Sequence, residues 1–170
     1  MSTVNFKGAP VNLAGEFITA GETAPDFRLS KSNLSTLSLS ELWGKYVLLN
    51  IFPSLDTAVC ATTVRKFNTL ATRNPDTVVL AISKDLPFAQ ARFCSTEGID
   101  RVTALSDFRV DSEFGTDYGV LMTDGPLNGL FARAIVVIDP MGKVVYTELV
   151  SDVTGEPDYE RALKACHARA

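Results

Sequence analysis

Two apolar runs, residues 46–52 and 77–83, constrain the fold of this chain most strongly. Both are continuous rather than alternating, and the second is rich in β-branched side chains. This is the pattern of strands that are buried on both faces of a sheet. The residues between the runs, from Thr57 to about Arg73, have the pattern of a helix. The order strand, helix, strand therefore predicts a βαβ unit.

The other segments extend this unit into a larger mixed sheet. We predict strands over residues 27–30, 102–105, 134–139 and 143–150, a helical turn over 38–43, and helices over 87–97, 113–118 and 157–168. Glycines separate residues 11–13 from residues 16–19, which predicts a short N-terminal β-hairpin added to the main sheet. This order of elements is typical of a thioredoxin-like α/β fold, a central mixed sheet with helices on both faces.

Size and composition favour a single domain over residues 1–170. The chain has 170 residues, of which 46% are hydrophobic and 21% charged, and this fills one core. A net charge of −4 argues against nucleic-acid and membrane partners, because both need a concentrated basic face. The N-terminus has no signal-like pattern, so we expect a cytoplasmic protein whose partners are small molecules or proteins.

A cysteine lies where the first apolar strand gives way to the helix. Cys60 ends the segment 53–60 and enters the first helical turn. Backbone N–H groups without partners and the positive end of the helix dipole favour a thiolate there. Thr57 is a candidate N-cap whose hydroxyl can point toward the same pocket. The alternative is a structural cysteine, since a free cysteine is usually a small core residue.

The segment has the form Pro-x-x-x-Thr-x-x-Cys, and it resembles the peroxidatic site of a peroxiredoxin. The resemblance implies a thiolate nucleophile at Cys60, a hydroxyl at Thr57 that fixes the peroxide oxygen, and a proline at Pro53 that shields the sulfur. A second block, residues 83–94, resembles the resolving-cysteine helix of the thiol peroxidase branch, the atypical two-cysteine peroxiredoxins.

The similarity to that branch extends from about Gly8 to the C-terminal helix. It implies that Cys94 condenses with oxidised Cys60 into an intramolecular disulfide, which thioredoxin then reduces. It also implies a homodimer that needs no cofactor. From the residues alone, Cys94 could equally be a core position. One departure is Ala58, where the branch usually has proline, so the turn before Cys60 is expected to be slightly looser.

A thiolate also needs a nearby positive charge. Arg133 is the best candidate, because the arginine at this position of the branch lies over the peroxidatic sulfur; an arginine solvated at a strand end is the alternative. Arg65 lies more than one helical turn beyond Cys60 and faces another direction. Asp56 would oppose thiolate formation, so we expect it to cap the helix or to face outward.

The third cysteine and the only histidine lie in the C-terminal helix. Tyr159, Ala162, Leu163 and Cys166 recur at helical spacing, which predicts that Cys166 is a packing residue. We assign no general-base or metal role to His167, because peroxidase chemistry of this kind needs no histidine.

Three other functions fit parts of this sequence. A thiol-disulfide oxidoreductase would have a second cysteine where this chain has Thr57. A metal-binding protein would need a close pair of ligands, and no two of the cysteines form one. A redox sensor that passes oxidation to a partner protein would share all the chemistry of the peroxidase, and it stays an alternative.

Overall fold

A computed structural model describes residues 2–166 of the chain as a mixed α/β structure. Its strands are β1 (Thr3–Phe6), β2 (Ala9–Asn12), β3 (Arg28–Lys31), β4 (Thr36–Ser38), β5 (Tyr46–Ile51), β6 (Thr77–Ser83), β7 (Val102–Ser106), β8 (Ala134–Ile138) and β9 (Val144–Leu149). Its helices are α1 (Ala58–Ala71), α2 (Pro87–Glu97), α3 (Phe114–Asp117) and α4 (Tyr159–Ala165), with a 3-10 turn at Leu39–Leu42. A seven-stranded sheet has the order β4-β3-β7-β6-β5-β8-β9.

The predicted βαβ unit is confirmed and lies at the centre of this sheet. β5 pairs in parallel with β6 from Tyr46↔Thr77 to Ile51↔Ile82, and all six residues of β5 are buried. β6 is also parallel to β7, whereas β5 pairs antiparallel with β8. A strand in this position meets apolar layers on both faces, which explains its continuous apolar sequence.

Two apolar cores lie on opposite faces of the sheet. One contains Val47, Leu49 and Ile51 of β5 and is covered by α3. The other contains Tyr46 and Leu48 and is covered by α1 and α4. Helices therefore cover both faces, as expected. The buried face of α1, with Cys60, Val64, Phe67 and Ala71 at helical spacing, explains why this segment forms a helix.

The predicted N-terminal hairpin is confirmed, with residues 11–12 in a strand, but the strand predicted at residues 16–19 was wrong. The hairpin consists of β1 and β2 and forms a separate two-stranded sheet, whereas residues 16–19 belong to no strand. Lys7 and Gly8 both have positive φ, 50° and 83°, which is the backbone of a tight two-residue hairpin turn. This turn fixes a register in which Val4 lies opposite Val11.

Two further differences concern short elements. β4 was not predicted, because three residues carry little periodic signal, and it pairs antiparallel with β3. α4 begins at Tyr159 rather than at residue 157, since the Asp158 side chain accepts a hydrogen bond from the Arg161 N–H and caps the helix. The predicted end of this helix, residues 167–168, lies outside the described residues. Over residues 2–166, no helix has the length and apolar character needed to cross a bilayer.

Candidate active site

Cys60 lies in the first turn of α1, at the carboxyl end of β5. Its side chain is completely buried, with 0% exposure, and packs in the core between α1 and the sheet. The N–H groups of a first helical turn have no acceptors within the helix, so this end carries positive partial charge. The site thus lies at the carboxyl end of β5, the usual place for a site in an open α/β sheet.

Arg133 supplies a full positive charge at the sulfur. Its Nη2 donates a hydrogen bond to Cys60 Sγ at 3.0 Å, and its Nε donates to the Val153 carbonyl oxygen at 3.0 Å. Only 1% of the side chain is exposed, so water screens this charge little. Because Arg133 directly precedes β8, the pairing of Ala134 with Ile51 places it beside the end of β5. The guanidinium is therefore fixed in position, with its positive charge in contact with the sulfur.

One nitrogen of this guanidinium is still free to bind another group. Nη1 of Arg133 is buried and has no hydrogen-bond partner among the described residues. An arginine has no acceptor capacity, so this N–H group can only donate. Because it belongs to the same planar fork as Nη2, it can donate to an oxygen atom that approaches the Cys60 sulfur.

Thr57 occupies the N-cap position of α1, as expected, but it does not make the expected cap bond. Its hydroxyl donates to the Ser54 carbonyl oxygen at 3.0 Å. No helical N–H bonds to its side chain, because residues 54–57 form a tight turn in which the Thr57 N–H also donates to Ser54, at 3.2 Å. Pro53 is buried next to this turn, and Asp56 is exposed. The outward position of Asp56 agrees with the sequence prediction.

Cys94 lies in α2, on a different helix from Cys60, and both are free thiols. It lines a cavity of about 300 Å³ together with residues 102–104 of β7 and residues 31–33. Burial raises the pKa of the Cys94 thiol, so it is protonated at neutral pH. In this arrangement Cys94 faces β7 and the β3–β4 turn.

The remaining candidates are structural. Cys166 is 3% exposed, packs in the core beneath α1, and has a pKa raised to about 11 by burial, which confirms the predicted packing role. Arg65 is exposed and forms an ion pair with Glu97 at 2.5 Å, away from the sulfur. His167 lies outside the described residues. Within residues 2–166, no three His, Cys, Asp or Glu side chains are arranged to hold a metal ion.

Sequence reasoning missed a polar network beside the loop that precedes Cys60. The Asp85 carboxylate accepts hydrogen bonds from Ser54 Oγ at 2.7 Å, the Leu55 N–H at 2.8 Å and Ser83 Oγ at 2.7 Å. Ser83 in turn accepts a bond from the buried Gln90 at 3.2 Å. The signal available was the presence of polar residues in the block 83–94, but nothing in their spacing identifies the loop that they bind.

Comparison with known proteins agrees with this site. A family model described as Redoxin matches residues 19–163. The chain is 51% identical over 168 residues to a thiol peroxidase of Mycobacterium tuberculosis strain H37Rv, covering 99% of this chain and 100% of that protein. It is 48% identical over 165 residues to a thiol peroxidase of Corynebacterium glutamicum, covering 97% and 99%.

A solved structure of a peroxiredoxin-like protein is also similar to this chain. A peroxiredoxin-like protein from Aquifex aeolicus has a TM-score of 0.93 and 38% identity, with 98% of this chain and 96% of that chain covered. The chain belongs to the Redoxin family and, within it, to the thiol peroxidase branch of the peroxiredoxins. It is thus an oxidoreductase of the peroxiredoxin type, a thiol-dependent peroxidase.

Proposed function

We propose that Cys60 reduces hydrogen peroxide and organic hydroperoxides. The thiolate attacks the terminal peroxide oxygen, an S–O bond forms, and the O–O bond breaks. The other oxygen leaves with the electron pair, gains a proton and departs as water or an alcohol, and the sulfur becomes a sulfenic acid. The observation that carries this proposal is the 3.0 Å contact from Arg133 Nη2 to Cys60 Sγ, with Nη1 free to hold the leaving oxygen.

The neighbouring residues have supporting roles in this proposal. The Thr57 hydroxyl accepts a hydrogen bond from the peroxide O–H or donates one to a peroxide oxygen. To do so it rotates about χ1 and leaves its present acceptor, the Ser54 carbonyl of the same turn. Pro53 lacks an N–H and is buried beside this turn, so it keeps water from the sulfur.

Cys94 completes the cycle by forming a disulfide with Cys60. Its sulfur attacks the sulfenic acid, the S–S bond forms, and the hydroxyl leaves as water with the thiol proton. Since Cys94 faces β7, α2 has to undock to deliver it. A thioredoxin dithiol then reduces the disulfide and is itself oxidised. No cofactor takes part in this cycle.

The remaining parts of the proposal concern the protein as a whole. Residues 1–170 act as one thioredoxin-like domain in the reducing cytoplasm, where thioredoxin operates. We infer a homodimer from exposed apolar side chains near the carboxyl ends of β6 and β7: Leu86 is 53% exposed, Phe88 66% and Val110 104%. Large apolar side chains that are exposed close together are typical of a protein–protein interface.

Three serine variants test the mechanism. Cys60→Ser is expected to abolish peroxide consumption in stopped-flow measurements, whereas Cys166→Ser, the matched control, is expected to retain it. Cys94→Ser is expected to react once and to accumulate Cys60 sulfenic and then sulfinic acid in mass spectra. Substantial turnover by Cys60→Ser would refute the peroxidase assignment, and a disulfide other than Cys60–Cys94 would refute the resolving step.

A further inference from the structure

The helix that carries Cys94 is held by polar contacts more than by apolar burial. Of the residues in α2, only Pro87 and Gln90 are buried; Phe93 is partly buried against the core beneath α1, and Phe88 is exposed. α1, by contrast, buries a continuous apolar face. Because α2 buries less apolar surface than α1, its few polar contacts have a larger part in how readily it undocks.

Gln90 is the main contact of this kind. Its side chain is completely buried, and Nε2 donates to the Leu105 carbonyl oxygen at 2.9 Å and to Ser83 Oγ at 3.2 Å. Its Oε1 is buried and has no hydrogen-bond partner among the described residues. An unpaired buried acceptor regains a hydrogen bond when water reaches it, so the Gln90 side chain holds the docked helix through its amide nitrogen and not through its oxygen.

Ser83 connects Gln90 by hydrogen bonds to the loop before Cys60. A hydroxyl can accept from one group while it donates to another, and Ser83 Oγ donates to the Asp85 carboxylate while it accepts from Gln90. Asp85 accepts from Ser54 Oγ and from the Leu55 N–H. Ser54 is the residue whose carbonyl holds the Thr57 hydroxyl. An unbroken series of hydrogen bonds therefore connects α2 to the turn that precedes Cys60.

We propose that Asp85 and Gln90 are positioning residues that couple the peroxide site to the docking of α2. Asp85 holds residues 54–57 in the reactive arrangement, and Gln90 stabilises Asp85 through Ser83. The turn is ordered while α2 is docked and loosens when Gln90 leaves. Undocking of α2 thus presents Cys94 and weakens the peroxide site in the same event. This inference rests on the proposed function, because it assigns roles in that reaction.

The decisive variant is Gln90→Leu, which keeps the side-chain size but touches no residue of the turn. With reduced protein, we expect the rate constant with peroxide to fall about tenfold, the scale of one lost hydrogen bond in a buried network. The rate constant with iodoacetamide, which reports thiolate content, should change less than about twofold. Asp76→Asn is the control, since Asp76 is exposed and precedes β6 at the opposite end of the strand.

A double-mutant cycle with Asp85→Asn separates coupling from general destabilisation. If the two residues act through Ser83, the combined variant should lose clearly less peroxide rate than the product of the two single losses. Multiplicative losses, or an unchanged peroxide rate in Gln90→Leu, would overturn the inference. These rate constants are measured on reduced protein, before any disulfide forms. If the parent protein formed no Cys60–Cys94 disulfide, the resolving step of the proposed function would be refuted, but the measured coupling between Gln90 and Asp85 would not.

Hydrogen exchange on the unsubstituted protein gives a second test that does not depend on the folding of variants. The Leu55 amide, which donates to Asp85, should lose protection together with the amides of α2 when the disulfide forms. Retained protection of Leu55 in an oxidised protein whose α2 exchanges freely would contradict the coupling.

Discussion

Replacing Arg133 by lysine separates the charge at Cys60 from the geometry of that charge. Arginine donates from Nη2 to Cys60 Sγ and from Nε to the Val153 carbonyl, both at 3.0 Å, and leaves Nη1 for a third group. A lysine ammonium keeps the positive charge but has one nitrogen on a flexible stem, so it cannot hold these three directions at once. The substitution therefore removes the fixed fork and conserves the charge.

The expected loss of rate in Arg133→Lys differs between peroxide and iodoacetamide, because only peroxide needs a donor to its leaving oxygen. Loss of one preorganised donor to the charge that develops in a transition state costs roughly 3 kcal/mol, so we expect the rate constant with peroxide to fall about 100-fold. Iodoacetamide needs the thiolate but no donor to an oxygen, so its rate constant should change less than about threefold. The ratio of the two rate constants is the quantity to compare.

Stopped-flow measurement of both reactions across pH gives this ratio. Arg65→Lys is the matched control, because Arg65 lies on the Cys60 helix but pairs with Glu97 at 2.5 Å, and neither rate constant should change by more than about twofold. Small and parallel losses in Arg133→Lys would show that the charge alone matters, and the positioning role of Arg133 would be wrong.

Three other substitutions test separate parts of the structure. Thr57→Val should lower the rate constant with peroxide about tenfold, and Thr57→Ser should restore it in the same assay; equal rates in all three proteins would exclude a role for the hydroxyl. Cys166, with a pKa of about 11 and 3% exposure, should resist iodoacetamide at pH 8 until the protein unfolds, and rapid labelling of the native protein in mass spectra would contradict its packing role. Hydrogen bonds from Thr154, Gly8 and Lys7 lower the pKa of Asp152 to about 2, so its contribution to stability is present above its ordinary value of 3.8 and is lost as the pH falls toward 2. The difference in melting temperature between the parent and Asp152→Asn should thus shrink below pH 4, and a constant difference would refute this linkage.

The central strands and the helix with Cys60 were predictable because their signals are local. Residues 46–52 and 77–83 are mostly apolar and do not alternate with polar residues, which is typical of strands covered on both faces. The position of Cys60 followed from the junction of strand and helix. That Arg133 lies at the sulfur followed from the family resemblance, since the sequence separation of 73 residues gives no direct indication of contact.

Other features depend on contacts that no local pattern encodes. The strand that pairs with residues 11–12 was predicted at residues 16–19 instead of at β1, because glycines at positions 15 and 21 look like the turn at Gly8, and only the backbone shows that Lys7 also has positive φ. The Thr57 hydroxyl donates to the Ser54 carbonyl instead of capping α1, because local backbone groups compete for the side chain of a threonine at this position. Gln90 and Asp85 are ordinary polar residues in sequence, and their connection requires both β6 and the turn before Cys60 to be in place.

The pairing of β8 with β5 has a consequence for when the sulfur becomes reactive. Cys60 is synthesised 73 residues before the arginine that contacts it, and that contact depends on β8 joining the sheet. A nascent chain that has emerged only as far as α1 carries the thiol without its guanidinium, so it lacks the group that we propose activates Cys60 toward peroxide. Separation of β8 from β5 in the folded protein would remove the same contact without altering α1. In the proposed mechanism, peroxide therefore reacts fast with Cys60 only in molecules in which β8 has joined the sheet.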